Sequence, residues 1–388
     1  MAVSVRQEHD VIEFCRDLVR RPSPPGEESA VAEAVQARMR DLGYDQVTVD
    51  AWGNVVGRID GHRPGPSLLL DAHMDTVTVD EPERWTHDPF GAEIVGDRLY
   101  GRGAIDCKGC LAAIVSMAAL LDRDRLAGTV YVSGTVIEEL SEGAGLAKVC
   151  QAIAPDGVII AEGTALELGV AQKGRASVVV EAKGKPAHAA NPTEGVNAVY
   201  KMLPALTRLR DLPLRADSVV GPQLTELAEL IELNSAPYPS NSVVPYHCRA
   251  RYDCRMRTGE TPAALLARWQ ALAGDEVTVS IRRQTLTCYT GAQIEVEDFY
   301  PAWYTPPEAT LRSTAQRALR EIGQEAKDFV AHYCTNGSYC GGVAGLPTLI
   351  YGPGVMQHAH MTDEFVEIPQ VVAATQGYAA IVSAMLAA

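Results

Sequence analysis

Three short apolar runs each end on a carboxylate or an imidazole, and that repetition limits what the chain can fold into. They are Ser67-Leu68-Leu69-Leu70-Asp71-Ala72-His73-Met74-Asp75, Val130-Tyr131-Val132-Ser133-Gly134-Thr135-Val136-Ile137-Glu138-Glu139 and Gly157-Val158-Ile159-Ile160-Ala161-Glu162. Short apolar runs bounded by turn signals read as buried strands. In open α/β sheets the groups that act on ligands lie just past the strand ends. Two loops add to the pattern. Tyr100-Gly101-Arg102-Gly103-Ala104-Ile105-Asp106-Cys107-Lys108-Gly109 sets a carboxylate in a glycine-rich turn before a helical apolar run, and Gly352-Pro353-Gly354 precedes His358-Ala359-His360-Met361-Thr362-Asp363-Glu364.

Residues two apart on an extended chain point the same way, so His73 can ligate a metal while Asp75 supports it. Adjacent Glu138 and Glu139 diverge, which suits one base and one ligand. Together His73, Asp75, Asp106, Glu138, Glu139, Glu162 and His360 can hold two divalent ions and a water-activating base, the outline of a metallohydrolase. Each has a plainer account when taken alone. His73 is then a hydrogen-bonded surface residue, Glu138-Glu139 a solvated strand end, Glu162 an acid before a loop and Asp106 a turn former or helix cap.

The order of these motifs, from about the first helix to the C-terminus, resembles the di-zinc aminoacylase and carboxypeptidase family that includes acetylornithine deacetylase, succinyl-diaminopimelate desuccinylase and glutamate carboxypeptidase. The resemblance implies that His73 and Glu162 bind one metal and Glu139 and His360 the other, with Asp106 bridging. It makes Asp75 the residue that orients His73, and Glu138 the general base. The stretch from Cys288-Tyr289-Thr290-Gly291 through Tyr300-Pro301-Ala302-Trp303 to Thr335-Asn336-Gly337 looks most like the YgeY-type hydrolases within that family. Two ions per chain are implied, zinc first, with cobalt or manganese able to substitute on mixed imidazole and carboxylate ligands.

Two departures from the family stand out. Gly163-Thr164 follows Glu162 where many relatives have Pro-Thr, and Cys107-Lys108-Gly109-Cys110 sets two cysteines beside Asp106. Two small side chains opening a helix account for that pair, since a redox or thiolate metal site needs further cysteines close by.

A second cluster lies in Lys183-Gly184-Lys185-Pro186-Ala187-His188-Ala189-Ala190-Asn191-Pro192 and Gly195-Val196-Asn197-Ala198. It resembles the family's lid signature, in which the histidine, here His188, reaches the scissile carbonyl across a dimer interface. Asn241-Ser242-Val243-Val244-Pro245 and Asp253-Cys254-Arg255 match family positions that hold a substrate carboxylate, for which a guanidinium fork is suited. The alternative is that Arg255 pairs with Asp253. Thr335 and Asn336, in a polar glycine-rich loop, are expected to add hydrogen bonds at the same substrate end.

The expected activity is hydrolysis of the amide of an N-acyl amino acid or small peptide with a free carboxylate. Cleavage of another C–N bond, carbamoyl or cyclic amide, or a non-catalytic binding protein on the same fold are the alternatives.

The chain's 388 residues exceed the usual single-domain size, so two domains are expected. Strands near 46–49, 67–71, 129–135 and 157–161 alternate with helices near 28–42, 108–121 and 143–152, after a first helix carrying Val11, Ile12, Cys15, Leu18 and Val19. That rhythm predicts an α/β catalytic domain with a mostly parallel sheet and helices on both faces. Strands near 175–182, 224–233, 243–255 and 276–282, with helices near 195–210 and 262–272, predict an inserted α+β lid and dimerisation domain. The expected division is 1–172 and 290–388 for the catalytic domain and 173–289 for the lid. No apolar run approaches ~20 residues, so no membrane span is expected, and Met1 to Glu8 lack a signal-peptide core. Nine scattered cysteines fit a reducing cytoplasm. The formal charge of -15 disfavours nucleic acid and anionic membranes as partners.

Overall fold

The computed structural model describes residues 4–239 and 241–387, so the first residues of the Met1 to Glu8 segment lie outside the described residues. The chain divides into two compact units: Met1–Gln172, Thr285–Ile294 and Tyr304–Ala388 form the first, and Lys173–Gln284 with Glu295–Trp303 the second. This differs from a single insert at 173–289. Residues 285–289 fold with the first unit, and Glu295–Trp303 goes back to the second, where the strand Phe299–Tyr300 pairs antiparallel with Gly174–Lys183. A two-residue strand carries no periodicity, so the sequence gives no sign of this return.

In the first unit the middle of the sheet is parallel: Ala127–Thr135, Arg63–His73, Gly157–Ile160 and Thr348–Ile350 lie side by side in that order. Antiparallel pairs flank it, with Asp328–Ala331 added in parallel to Leu168–Gln172 at one margin. Val55–Asp60 and then Gln46–Val49 flank one side, and Leu168–Gln172 pairs with Thr348–Ile350 on the other. The last six residues of Arg63–His73 and all four of Gly157–Ile160 are buried, which is why these strands read as unbroken apolar runs.

The helix Val5–Val19 opens with a capping box in which Ser4 and Gln7 satisfy each other's backbone N–H groups, and it buries Val11, Phe14, Cys15, Leu18 and Val19. Instead of one helix over 108–121, a wide-turned segment, Ala104–Gly109, precedes the shorter helix Cys110–Ser116. Every residue of that helix is buried, so it is apolar all round rather than striped. Ile368–Met385 closes the unit.

The second unit is an antiparallel sheet in the order Leu227–Ala236, His247–Met256, Gly174–Lys183 and Val277–Ile281. His247–Met256 alternates strictly, with Cys248, Ala250, Tyr252, Cys254 and Met256 buried. That face forms one core with Met202, Ala205 and Leu209 of the helix Ala198–Arg210 and with Leu265 and Trp269 of the helix Pro262–Ala273.

Candidate metal centre

The parallel strands end level. His73 pairs with Thr135, and Asp71 with both Ser133 and Ile160, so the segments leading to Glu138, Glu139 and Glu162 leave the same edge of the sheet as His73. His73 Nε2 lies 2.8 Å from Asp106 Oδ1 and 3.4 Å from Glu162 Oε1. His360 Nε2 lies 3.0 Å from Asp106 Oδ2 and 3.2 Å from Glu139 Oε2. One carboxylate therefore faces two imidazoles, one with each oxygen, and each imidazole has a second carboxylate beside it. All five expected ligands come together here. His358, the rival to His360, instead packs its ring on Phe365 with centroids 4.9 Å apart.

Asp75 lies beside His73 and also takes a second task. His73 Nδ1 meets the backbone carbonyl of Asp75 at 2.9 Å, while the carboxylate stands 3.6 Å away, too far for a hydrogen bond. The carboxylate instead accepts the N–H groups of Glu138 at 3.1 Å and Glu139 at 2.9 Å. Buried Glu28 accepts the preceding N–H, that of Ile137, at 3.1 Å, together with that of Gly26. Ile137 has a φ of 61°, a conformation costing a β-branched residue ~1–3 kcal/mol. Two carboxylates thus fix three successive amides in the turn that presents the acid pair.

The loop before Asp106 is held in the same way. Glu364 accepts the N–H of Ile105 at 3.0 Å and pairs with Arg102 at 2.5 Å.

Thr335 and Asn336 are not at a substrate surface: they are 1% and 2% exposed. Asn336 Nδ2 donates to Asp71 Oδ2 at 2.8 Å and to Thr135 Oγ1 at 3.0 Å, and its Oδ1 accepts the N–H of Gly143 at 2.7 Å. Thr335 Oγ1 donates to Gln172 at 2.6 Å. Asn336 thus spends both donors and its acceptor inside the first unit, locking the strand ends beneath the cluster, so the expected substrate contact from these two side chains is replaced by a structural one. Polar composition marks the loop as exposed; its buried partners lie far away in the chain.

The electrostatics are those of acids crowded out of water. Burial lifts Glu138 well above the usual carboxylate range, against the pull of His73. Burial, then the charge of Asp106, pushes Glu162 up to about 7. Burial would also raise Asp106, yet hydrogen bonds from His360 and His73 hold it well below that range. Glu162 Oε2 is buried without a hydrogen-bond partner. One ligand atom each from His73, Asp106 and Glu139 lies within 4.8 Å of the others, and the same holds for His73, Cys107 and Glu162. Buried carboxylates in excess of cations, with an oxygen unspent, fit divalent ions on nitrogen and oxygen donors.

The sequence model of peptidase family M20/M25/M40 matches residues 69–384. The chain belongs to that family. It is 29% identical over 389 residues to the uncharacterised protein YgeY of Escherichia coli, covering 97% of this chain and 95% of that one. It is also 29% identical over 384 residues to acetylornithine deacetylase of Klebsiella pneumoniae, covering 92% of each. The solved YXEP protein of Bacillus subtilis, a dinuclear metal binding peptidase from family M20, has a TM-score of 0.71 at 15% identity over 99% of each chain; at that identity the likeness shows a common fold. This family M20 chain is a metallohydrolase of amide bonds, built as an α/β unit with a mostly parallel central sheet and a second α+β unit.

Of the remaining expected site residues, His188, Asn241 and Arg255 lie in the second unit. His188 is exposed and accepts the N–H of Ala190 on Nδ1 at 3.0 Å, and it bridges to Val243. Arg255 Nε pairs with Asp253 at 3.1 Å, the neighbour named above as its alternative, and Asp253 also receives Arg175 Nε at 3.1 Å. Sequence reasoning passed over Glu28, Asp71 and Arg102. Asp71 alone left a signal, an acid inside a buried apolar run. No helix among the described residues is long and apolar enough to cross a membrane.

Proposed function

We propose that the chain hydrolyses the amide bond of an N-acyl amino acid or short peptide bearing a free carboxylate. One divalent ion would be held by His73, Glu162 and Asp106, and a second by His360, Glu139 and Asp106. The observation that carries this reading is the Asp106 carboxylate shared between two imidazoles at 2.8 and 3.0 Å. Bound ions, zinc first by donor set and cobalt or manganese as substitutes, supply polarisation of the amide carbonyl and acidification of the attacking water. Glu138 takes the proton from that water and returns it to the leaving nitrogen, a shuttle suited to a carboxyl whose burial raises its proton affinity. Asp75 and Glu28 keep the acid pair in register through their backbone contacts.

His188 of a second copy is assigned to the carbonyl oxygen, where a preorganised donor is worth about 2.7–4 kcal/mol. Arg255 and Asn241 are assigned to the substrate carboxylate. What supports a homodimer is Leu227–Ala236, an edge strand among the described residues, which exposes Leu227, Leu230, Ile231 and Leu233.

The test is elemental analysis with a substrate screen. Close to two divalent ions per chain are expected, with reversible loss of turnover on chelation and hydrolysis of N-acyl amino acids or dipeptides in preference to carbamoyl compounds. A fully active protein without metal, or one that turns over only carbamoyl compounds, overturns the reading. Mixing His188→Ala with Glu138→Gln under subunit exchange tests the dimer separately. Regained activity is expected, and none despite exchange removes His188 from the partner's site.

A further inference from the structure

We propose that Cys107 is itself a metal ligand, joining His73 and Glu162 so that one of the two positions is a sulfur-containing site for a thiophilic divalent ion. This rests on the two-metal reading above and adds to it a donor that the sequence analysis set aside as helix packing. Imidazole nitrogen, carboxylate oxygen and Cys107 sulfur lie within 4.8 Å of one another, and all three residues are buried. Glu162 Oε2, in the same group, is the buried oxygen without a hydrogen-bond partner.

The backbone explains how consecutive side chains serve one place. Asp106 and Cys107 have φ, ψ of -115°, 89° and -135°, 39°, far from helical values, inside Ala104–Gly109. Both therefore turn toward His73: Asp106 Oδ1 is 2.8 Å from its Nε2, and Cys107 Sγ donates to its carbonyl oxygen at 3.4 Å. Cys110, one turn on, opens the helix Cys110–Ser116 and donates to the carbonyl of Ile105 at 3.7 Å. Its role is the packing expected of both cysteines; Cys107 parts from it.

His73, Glu162 and Cys107 offer nitrogen, oxygen and sulfur donors in one group; with the shared Asp106 they would complete a tetrahedral zinc shell, leaving the open position for water on the His360 side. A thiolate makes this position softer than the one built on His360, Glu139 and Asp106, which has only nitrogen and oxygen donors. Coordination converts the thiol to a thiolate and releases its proton to bulk water, with no change of oxidation state. The two positions should therefore differ in metal preference, with cadmium entering the sulfur-containing one first.

The test is cobalt substitution of the full-length protein followed by absorption spectroscopy. Two cobalt ions per chain are expected, with visible ligand-field bands and a near-ultraviolet sulfur-to-cobalt charge-transfer band. Cys107→Ser should remove that band, and Cys110→Ser should keep it. Zinc retention at one position in Cys107→Ser should fall by at least the roughly ten- to hundredfold that losing an outer-shell partner costs.

Two bound cobalt ions without a charge-transfer band in the unsubstituted protein overturn the proposal and leave the two-metal reading standing. No cobalt uptake overturns both. A band that survives Cys107→Ser assigns the sulfur elsewhere and also overturns it. Should Cys107→Ser fail to fold, the cadmium-113 resonance of the unsubstituted protein decides, since a thiolate ligand shifts it far from the region of nitrogen and oxygen ligands.

Discussion

Replacing Asn336 with alanine separates a structural residue from a substrate contact. The amide makes three hydrogen bonds, to Asp71, Thr135 and the N–H of Gly143, in a place 2% exposed. Truncation leaves a buried backbone donor, a hydroxyl and a carboxylate each short of a partner. Each such group costs about 1–3 kcal/mol, more where charge is involved. The losses share one small volume and are not additive, so about 3–5 kcal/mol is the expected destabilisation, a large part of the ~5–15 kcal/mol that holds a typical domain folded.

The defect should also depend on pH. Burial pushes Asp71 up to about 6 despite the hydrogen bonds of Ser133 and Asn336, which act the other way. A carboxyl with a raised folded pKa binds more protons folded than unfolded, so its contribution to stability falls as pH rises toward that value. Without the Asn336 donor the folded value climbs further and the loss extends to higher pH. Urea unfolding at pH 5.5 and pH 8 with equal metal loading should show a larger deficit at pH 8, while KM per folded molecule changes less than about twofold. A stable variant whose KM rises tenfold would return Asn336 to the substrate and refute the hydrogen-bond argument.

Glu138→Gln should keep both metals and lose roughly 10²–10⁴ in kcat, whereas Glu139→Gln should lose metal from one position; metal analysis beside kinetics tells them apart, and the opposite pattern exchanges base and ligand. Glu28 is pushed from 4.5 up to about 7 by burial and then by Asp75, so its contribution to stability falls as pH rises from about 4.5 to 7. Glu28→Gln mimics the neutral form; in chelated protein it should gain on the unsubstituted chain between pH 5 and pH 8, by at most about 3 kcal/mol for the ~2.5-unit difference, and a gap that does not change with pH refutes this. Arg255→Ala should cut kcat/KM on an acid substrate by roughly ten- to a hundredfold and spare the matching amide; an equal loss on both makes the Asp253 pair its whole role.

The layered fold and the clustering of the candidate ligands were legible because burial leaves a mark on composition. A strand covered on both faces must be apolar, so His73, Glu138 and Glu162 stand out where Leu68–Leu70, Val130–Val136 and Val158–Ala161 end. Elements built from small or mixed residues left fainter marks. Val55–Asp60 contains Gly57, where a Cβ would sit 2.6 Å from Met39 Sδ and from Tyr44, so close packing removed the side chain that would have completed the alternation. Thr310–Glu321 buries Leu311, Arg312, Thr314, Ala315, Ala318 and Leu319, a helical stripe with only two large apolar residues.

The polar layer beneath the site was illegible for a different reason. Glu28, Asp75 and Glu364 all accept main-chain N–H groups, at Ile137, at Glu138 and Glu139, and at Ile105. Every residue but proline offers such a donor, so nothing in the sequence pairs an acid with a particular amide. In Pro24-Pro25-Gly26-Glu27-Glu28 the sequence reads as a turn leading into a helix from Glu28, with nothing to set the two glutamates apart, yet Glu28 is fully buried and Glu27 exposed. What distinguishes them is Ile137, held at a positive φ 109 residues further on and needing its N–H satisfied out of reach of water. A β-branched residue there is unfavourable until a carboxylate holds its amide, so the need for Glu28 arises from the backbone that presents Glu138 and Glu139.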